Sequence, residues 1–178
     1  MKMLKKLLAV VLTGAMALTL LTACGSNAVT EKDIADAMND MAKAKGTNVT
    51  FTPRAAEREL AQKLAALSEK DWNITGGKLS EKVIEILGLN EANEESRFVW
   101  CGAVIADEIG TTGQAHNVMN NILSQKAANA DKLTGKEPGN IRYIGTALGT
   151  LTIHGKQTTV RFIVVTADAE DPQRPGKA

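Results

Sequence analysis

Beyond residue 30, apolar positions first recur every three or four residues and then, in the last third, gather into β-branched runs. Thr30 precedes Glu31-Lys32-Asp33, a cap followed by an acidic first turn that suits the positive end of a helix. Ile34, Ala37, Met38 and Met41 then share one helical face, and Gly46 is a stop. Thr52-Pro53 predicts a second start, a cap with proline at the first helical position. Its stripe is Leu60, Leu64 and Leu67, with Ala56, Ala61 and Ala65 beside it. Glu57, Arg58, Glu59 and Lys63 face water, and the helix ends near Lys70. Gly76-Gly77 breaks the chain, and Ser80 caps a short helix carrying Val83, Ile84 and Leu87, closed by Gly88.

Residues 98–109 are a short apolar stretch bounded by charge. Val99, Ala103 and Ala106 share a helical face, and Asp107-Glu108 interrupt any strand alternation, so a helix is predicted. Residues 110–113 read as a loop. Residues 115–133 read as a further helix with Ala115, Val118, Met119, Ile122 and Leu123 inward, and 135–140 as a turn around Pro138-Gly139. Residues 141–153 and 157–166 are β-rich and flank His154-Gly155-Lys156, which predicts an antiparallel hairpin. The order is helices first and strands last, so the expected class is α+β. Residues 31–169 form the folded domain and 170–178 a polar tail with two prolines.

The first 24 residues have another character. Lys2, Lys5 and Lys6 open them, 15 uncharged residues run from Leu7 to Leu21, and Leu21-Thr22-Ala23-Cys24 closes them. A spanning helix needs about 20 apolar residues, so this core has the length of a signal peptide. The closing tetrad resembles a bacterial lipobox. That resemblance implies cleavage before Cys24, a thioether lipid on its sulfur and acylation of the new amine. Two or more acyl chains give stable anchoring where one gives marginal binding. The expected location is therefore the outer face of the cell membrane, or its periplasmic side where an outer membrane exists. Residues 24–30 would be a short tether.

Composition changes once that segment is set aside. The chain has 178 residues and a formal charge of +1, with 21 basic and 20 acidic groups. Cleavage before Cys24 removes three of the lysines and makes the charge −2. A near-neutral surface lacks the basic face that phosphate backbones require, so nucleic acid is not an expected partner. The two cysteines cannot pair if Cys24 carries lipid, and Cys101, between Trp100 and Gly102, reads as a small core residue. His116 and His154 stand far apart in sequence with no ligand-type neighbour at metal-binding spacing, so neither a metal nor a cofactor is expected. Asp107-Glu108 are adjacent and point apart on a helix, a solvated face rather than a catalytic couple. Gly145 and Gly149 lie in a strand-like run and read as sites of close packing.

The order of pieces from Asp33 to Asp168 resembles the CAP superfamily of cysteine-rich secretory, antigen 5 and pathogenesis-related proteins. Asn39 followed by Ala42-Lys43-Ala44-Lys45-Gly46 is similar to its opening Asn-x-x-Arg-x-x-x-Gly helix. Residues 56–65 are similar to its second helix, and Gly102-Ala103-Val104-Ile105-Ala106 falls where the family has Gly-Glu-Asn-Ile-Ala. Residues 118–124 are similar to the helix leading to Trp-x-x-Ser-x-x-His, Tyr143-Ile144-Gly145-Thr146-Ala147 to an Ile-Gly-Val-Gly strand, and 160–165 to the closing strand. The resemblance implies an α-β-α sandwich. It also implies a cleft stripped of the family's two histidines and two acids. Ala103 stands at the Glu place, Ala127 at a His place, 68–74 holds no His, and His116 matches neither His position.

These readings predict a lipid-anchored, non-catalytic domain that binds an envelope ligand or a protein partner. The alternatives are an envelope hydrolase assembled from His116, Asp107, Glu108 or Cys101, and a small ligand-binding lipoprotein.

Overall fold

The computed structural model describes residues 29–72, 79–90, 96–107 and 109–172. The signal-like segment with Cys24, the acidic residue Glu108 and positions 173–178 lie outside the described residues. The fold is that of the unit that begins at Glu31. Among the described residues no helix is long and apolar enough to cross a membrane.

The unit is α+β, with strands distributed along the chain. Helix α1 (Glu31–Ala44) is followed by strand β1 (Thr50–Pro53), helix α2 (Ala55–Ala65) and the short helix α3 (Glu81–Ile86). Strand β2 (Arg97–Ile105) comes next, then helix α4 (Thr111–Asn117), whose last turn widens to a π-turn over Val118–Ile122. The long strands β3 (Glu137–Ile153) and β4 (Lys156–Glu170) close the fold. The sheet order is β1-β3-β4-β2, with β1 parallel to β3 and the other pairs antiparallel. His154 (φ 51°) and Gly155 (φ 77°) turn β3 into β4 through the left-handed region at both central positions, the geometry that suits the twist of a two-residue hairpin.

Helices cover both faces of this sheet. Side chains alternate along a strand, and two glycines show what lies above each face. A Cβ on Gly145 of β3 would point at the backbone of Glu57 and Arg58, so α2 sits on that face. A Cβ on Gly102 of β2 would point at Ile122, so the π-turn sits on the other. Gly145 pairs with Val164 of β4 and Gly102 with Ile163, adjacent residues that face opposite ways. The α2 side holds Ala61, Leu64, Trp72, Val83 and Leu87 against Val99, Val160, Phe162 and Val164, with Trp72 edge-on to Phe162 at 4.8 Å. Because both faces are covered, every residue from Val160 to Ala167 is buried, whichever way the pleat points it.

That double cover explains where the sequence reading is corrected. The stretch at 98–109 forms a strand up to Ile105, not a helix. Phe98, Val99, Trp100 and Val104 are β-formers buried on two sides, so no period-2 signal separates strand from helix. Strands are not confined to the end of the chain. Pro53 ends β1 and does not open a helix; Arg54 holds the N-cap position and α2 stops at Ala65, well short of Lys70. Glu57 does not face water: it is fully buried, on the same stripe as Ala61 and Leu64. Helix α4 begins at Thr111, inside the expected loop, and the helical run ends at Ile122 rather than at 133. Ser80 does cap α3, its Oγ accepting from the Val83 amide at 3.3 Å.

Candidate functional site

Of the residues named from sequence, His116, Asp107 and Cys101 each have separate surroundings, and Glu108 lies outside the described residues. His116 is exposed on α4, with its ring nitrogens beside the Asn120 amide one turn on, at 2.8 Å from Nε2. Asp107 follows the end of β2 and accepts the Thr159 backbone amide at 2.7 Å. That backbone hydrogen bond holds its carboxyl below the usual range, the state of a strand-end clip. Cys101 is half-buried on the α2 side of β2. Among the described residues no three His, Cys, Asp or Glu side chains gather at metal-binding distance.

Cys101 instead reaches a cleft. A cavity of about 620 Å³ opens between the α3 region and the segment after the π-turn. Leu79, Ile84 and Leu89 line one wall, Gln125, Lys126 and Asn129 the other. A smaller cavity of about 150 Å³ shares Leu79, Gln125, Lys126 and Ala128 with it and is floored by Trp100, Cys101 and Ile122. The far wall is fixed to the outer edge of β2. The Ala128 amide donates to the Val99 carbonyl at 2.7 Å, Asn129 accepts from the Val99 amide at 3.1 Å and donates to the Arg97 carbonyl at 2.8 Å. Trp100 Nε1 donates to the Gln125 carbonyl at 3.1 Å. Lys132 Nζ crosses to the Leu89 carbonyl at 3.1 Å and ties the two walls together.

Burial pushes the Cys101 thiol up to about 12, so the sulfur in this cleft is a neutral thiol and not a nucleophile. With that value on the order of one part in ten thousand is thiolate at pH 8, against roughly a fifth for a free cysteine. In a Cys24→Ala chain, Cys101 should therefore react with an aromatic disulfide reagent roughly a thousandfold more slowly than free cysteine, and about tenfold faster for each added pH unit. A rate that matches free cysteine and is flat with pH would show a cationic neighbour instead.

Two polar clusters that sequence reasoning missed hold the layers together. On the α2 face, the buried Glu57 carboxylate accepts from Arg54 Nε at 2.6 Å, from Arg54 Nη2, and from Thr166 Oγ1 of β4 at 2.7 Å. The Arg54 guanidinium lies 3.6 Å over the Tyr143 ring. Burial alone would raise the Glu57 pKa, but the hydrogen bonds from Arg54 and Thr166 and the Arg54 charge outweigh it, and the carboxyl sits below its ordinary value. On the opposite face, buried Arg161 donates through Nε to Gln114 at 2.8 Å and through Nη1 to Thr146 at 3.2 Å. Glu31, at the first turn of α1, accepts from the Thr146 amide and from Arg58, both at 2.7 Å. The signal that was available for Glu57 is its spacing of four and seven from Ala61 and Leu64.

No family model, curated protein or solved structure matches this chain.

Proposed function

We propose that the chain is a lipid-anchored extracytoplasmic protein whose CAP-like domain binds a small ligand in the cleft between α3 and residues 125–132, without catalysing a reaction on it. The location rests on the order of basic start, uncharged run and Leu-Thr-Ala-Cys at residues 2–24. The family reading rests on the quoted motifs, and the cover of helices on both sheet faces supports it. The binding role rests on one observation above others: the cleft has the volume of a small-molecule site and joins an aliphatic wall to amide and amine groups. Its nearest potential nucleophile is a protonated thiol.

Growth with a labelled fatty acid should label the wild-type chain and leave Cys24→Ala unlabelled; equal labelling of the two would remove the anchor. For the cleft, titration of the protein with N-methylacetamide and isopropanol should move backbone amide resonances of Ile84, Leu89 and residues 125–131 together. Shifts scattered over the surface, or confined elsewhere, would count against this cleft as the site.

A further inference from the structure

The sheet leaves one stretch of edge open. Strand β1 has four residues and β3 has 17, so β1 covers β3 only from Ile141 to Ile144. Backbone groups that point out of an antiparallel pair recur at every second residue. Three bonds fix which residues these are on β3. The Ile144 carbonyl accepts from the Arg54 amide at 3.0 Å, the Thr146 amide donates to Glu31 at 2.7 Å, and the Thr152 amide donates to Glu69 at 3.0 Å. The register with β4 is unbroken from Arg142 to Ile153, so the amides and carbonyls of Leu148 and Thr150 point outward too. Among the described residues these four groups have no hydrogen-bond partner. They are open to solvent: Leu148 is 38% exposed, and Thr150 is exposed as well.

The two glutamates make this gap short and give its ends different characters. Each carboxylate takes an outward amide, so it stands where the carbonyl of a further strand would be, and pairing cannot spread past it. A second copy of β3 is too long for the gap, because its 17 residues would run into Glu31 at one end and Glu69 at the other. A segment of about three residues fits, provided that it begins or ends inside the gap. The end charges decide which. Glu31 is 11% exposed, and Arg58 meets its charge at 2.7 Å. Glu69 is exposed and accepts the Thr152 amide and, at 2.9 Å, the Thr152 hydroxyl. No cation among the described residues pairs with it. An uncompensated carboxylate at the end of an open strand edge attracts an ammonium and repels a chain-terminal carboxylate.

We propose that the β3 edge from Leu148 to Thr150 captures the free amino terminus of an extended polypeptide by strand addition, with Glu69 holding the terminal ammonium. The added strand runs antiparallel to β3. Its first residue pairs with Thr150 and its third with Leu148, each pair exchanging two hydrogen bonds. The ammonium donates to the Thr150 carbonyl and lies beside Glu69. A parallel strand would bring it to Glu31, whose charge Arg58 already meets. The first and third side chains share the face of Leu148, so an apolar third residue covers that exposed leucine. The second lies beside Gly149, over which Ala65 packs: a Cβ on Gly149 would come 3.4 Å from the Ala65 Cβ. A small second residue therefore fits. Beyond the third residue the added chain turns away from the edge at Glu31.

The experiment uses the full chain in a neutral detergent at pH 6.5, where an α-amino group with an ordinary pKa of about 7.7–8.0 is charged. The probes are the peptide Thr-Ala-Val amide and its N-acetyl form, followed through the backbone amide resonances of Leu148 and Thr150. The free-amine peptide should move both resonances saturably, and the acetylated one should bind at least tenfold more weakly. Glu69→Gln should bring the free-amine peptide down to the affinity of the acetylated one and leave the latter unchanged. Thr150→Pro removes an edge donor but no bond to β4, so it should keep the fold and abolish the response; Glu69→Gln decides the matter if that variant does not fold. No saturable shift at Leu148 and Thr150, equal affinity of the two peptides, or an unchanged response in Glu69→Gln would overturn the site. Shifts of the same two amides with protein concentration alone would give the edge to a second copy and overturn it too. The result is independent of the cleft, which is followed through other resonances.

Discussion

Alanine at Gly145 should prevent the protein from reaching a stable fold. The added Cβ would fall 2.0 Å from both the Arg58 nitrogen and the Glu57 carbonyl carbon, and 2.4 Å from the Glu57 oxygen. These are backbone atoms of α2, so no side-chain rotation relieves the overlap; the helix must lift off the sheet. Lifting it would open the packing of Ala61 and Leu64 on Phe162 and Val164 and pull Glu57 from Thr166. Overpacking that flexible side chains absorb costs about 1–3 kcal/mol, and a clash with backbone should exceed that, which is a large part of a total stability of about 5–15 kcal/mol. Gly102→Ala is the natural control. Its Cβ would meet Ile122 Cδ1 at 2.8 Å, the far end of a flexible side chain. Thermal melts followed by circular dichroism should show Gly102→Ala moderately destabilised and Gly145→Ala unfolded or nearly so. A Gly145→Ala melt within a few degrees of wild type would mean that α2 does not approach β3 this closely.

Gly145 also shows which parts of the fold were legible in sequence. Its position in a β-rich run marked it as a place of close approach, but nothing in the sequence told that the approaching partner is a helix. Elements with one buried side announced themselves: α1 by its periodic Ile34 and Met38, and α3 by Ser80 and Gly88. The hairpin, although β4 is buried on both faces, was marked by two β-branched runs around His154-Gly155. Strand β2, buried on both faces and with no such turn beside it, was not. Strand β2 lost its alternation because helices cover each face, and it read as a helix. The site was still less legible. Glu57 and Arg161 carry charge, and a one-dimensional reading assigns charge to water. Their burial depends on partners 109 positions away for Glu57 and 47 positions away for Arg161. The cleft depends on a loop that bonds to an edge strand some 30 residues earlier, through Asn129 and Val99.

Removing Arg54 should be far more damaging than neutralising Glu57, although the two form one ion pair. The Glu57 side chain is fully buried, whereas 38% of the Arg54 side chain is exposed. Arg54→Ala leaves a carboxylate with one remaining donor side chain, Thr166, inside the α2–sheet layer. Breaking a buried pair in this way costs about 3–5 kcal/mol. Glu57→Gln leaves a cation that water can still reach and keeps an acceptor for Thr166, so its loss should be nearer about 1–2 kcal/mol. The pH dependence gives a second, sharper test. In the wild type the Glu57 pKa is depressed, so its contribution is complete above the unfolded carboxylate value of about 4.3 and is lost as pH falls through the folded value. In Arg54→Ala the main opposing hydrogen bonds and charge are gone and burial dominates, which raises the folded pKa above the unfolded one. The sign then reverses: the variant loses stability as pH rises from about 4.3 through its raised folded value. Urea unfolding of both chains between pH 3 and 8 cancels the carboxylates they share, and the stability gap should shrink steadily on acidification. A gap of constant size across that range would show that Arg54 acts through its contact with the Tyr143 ring, 3.6 Å away, and not through the buried charge.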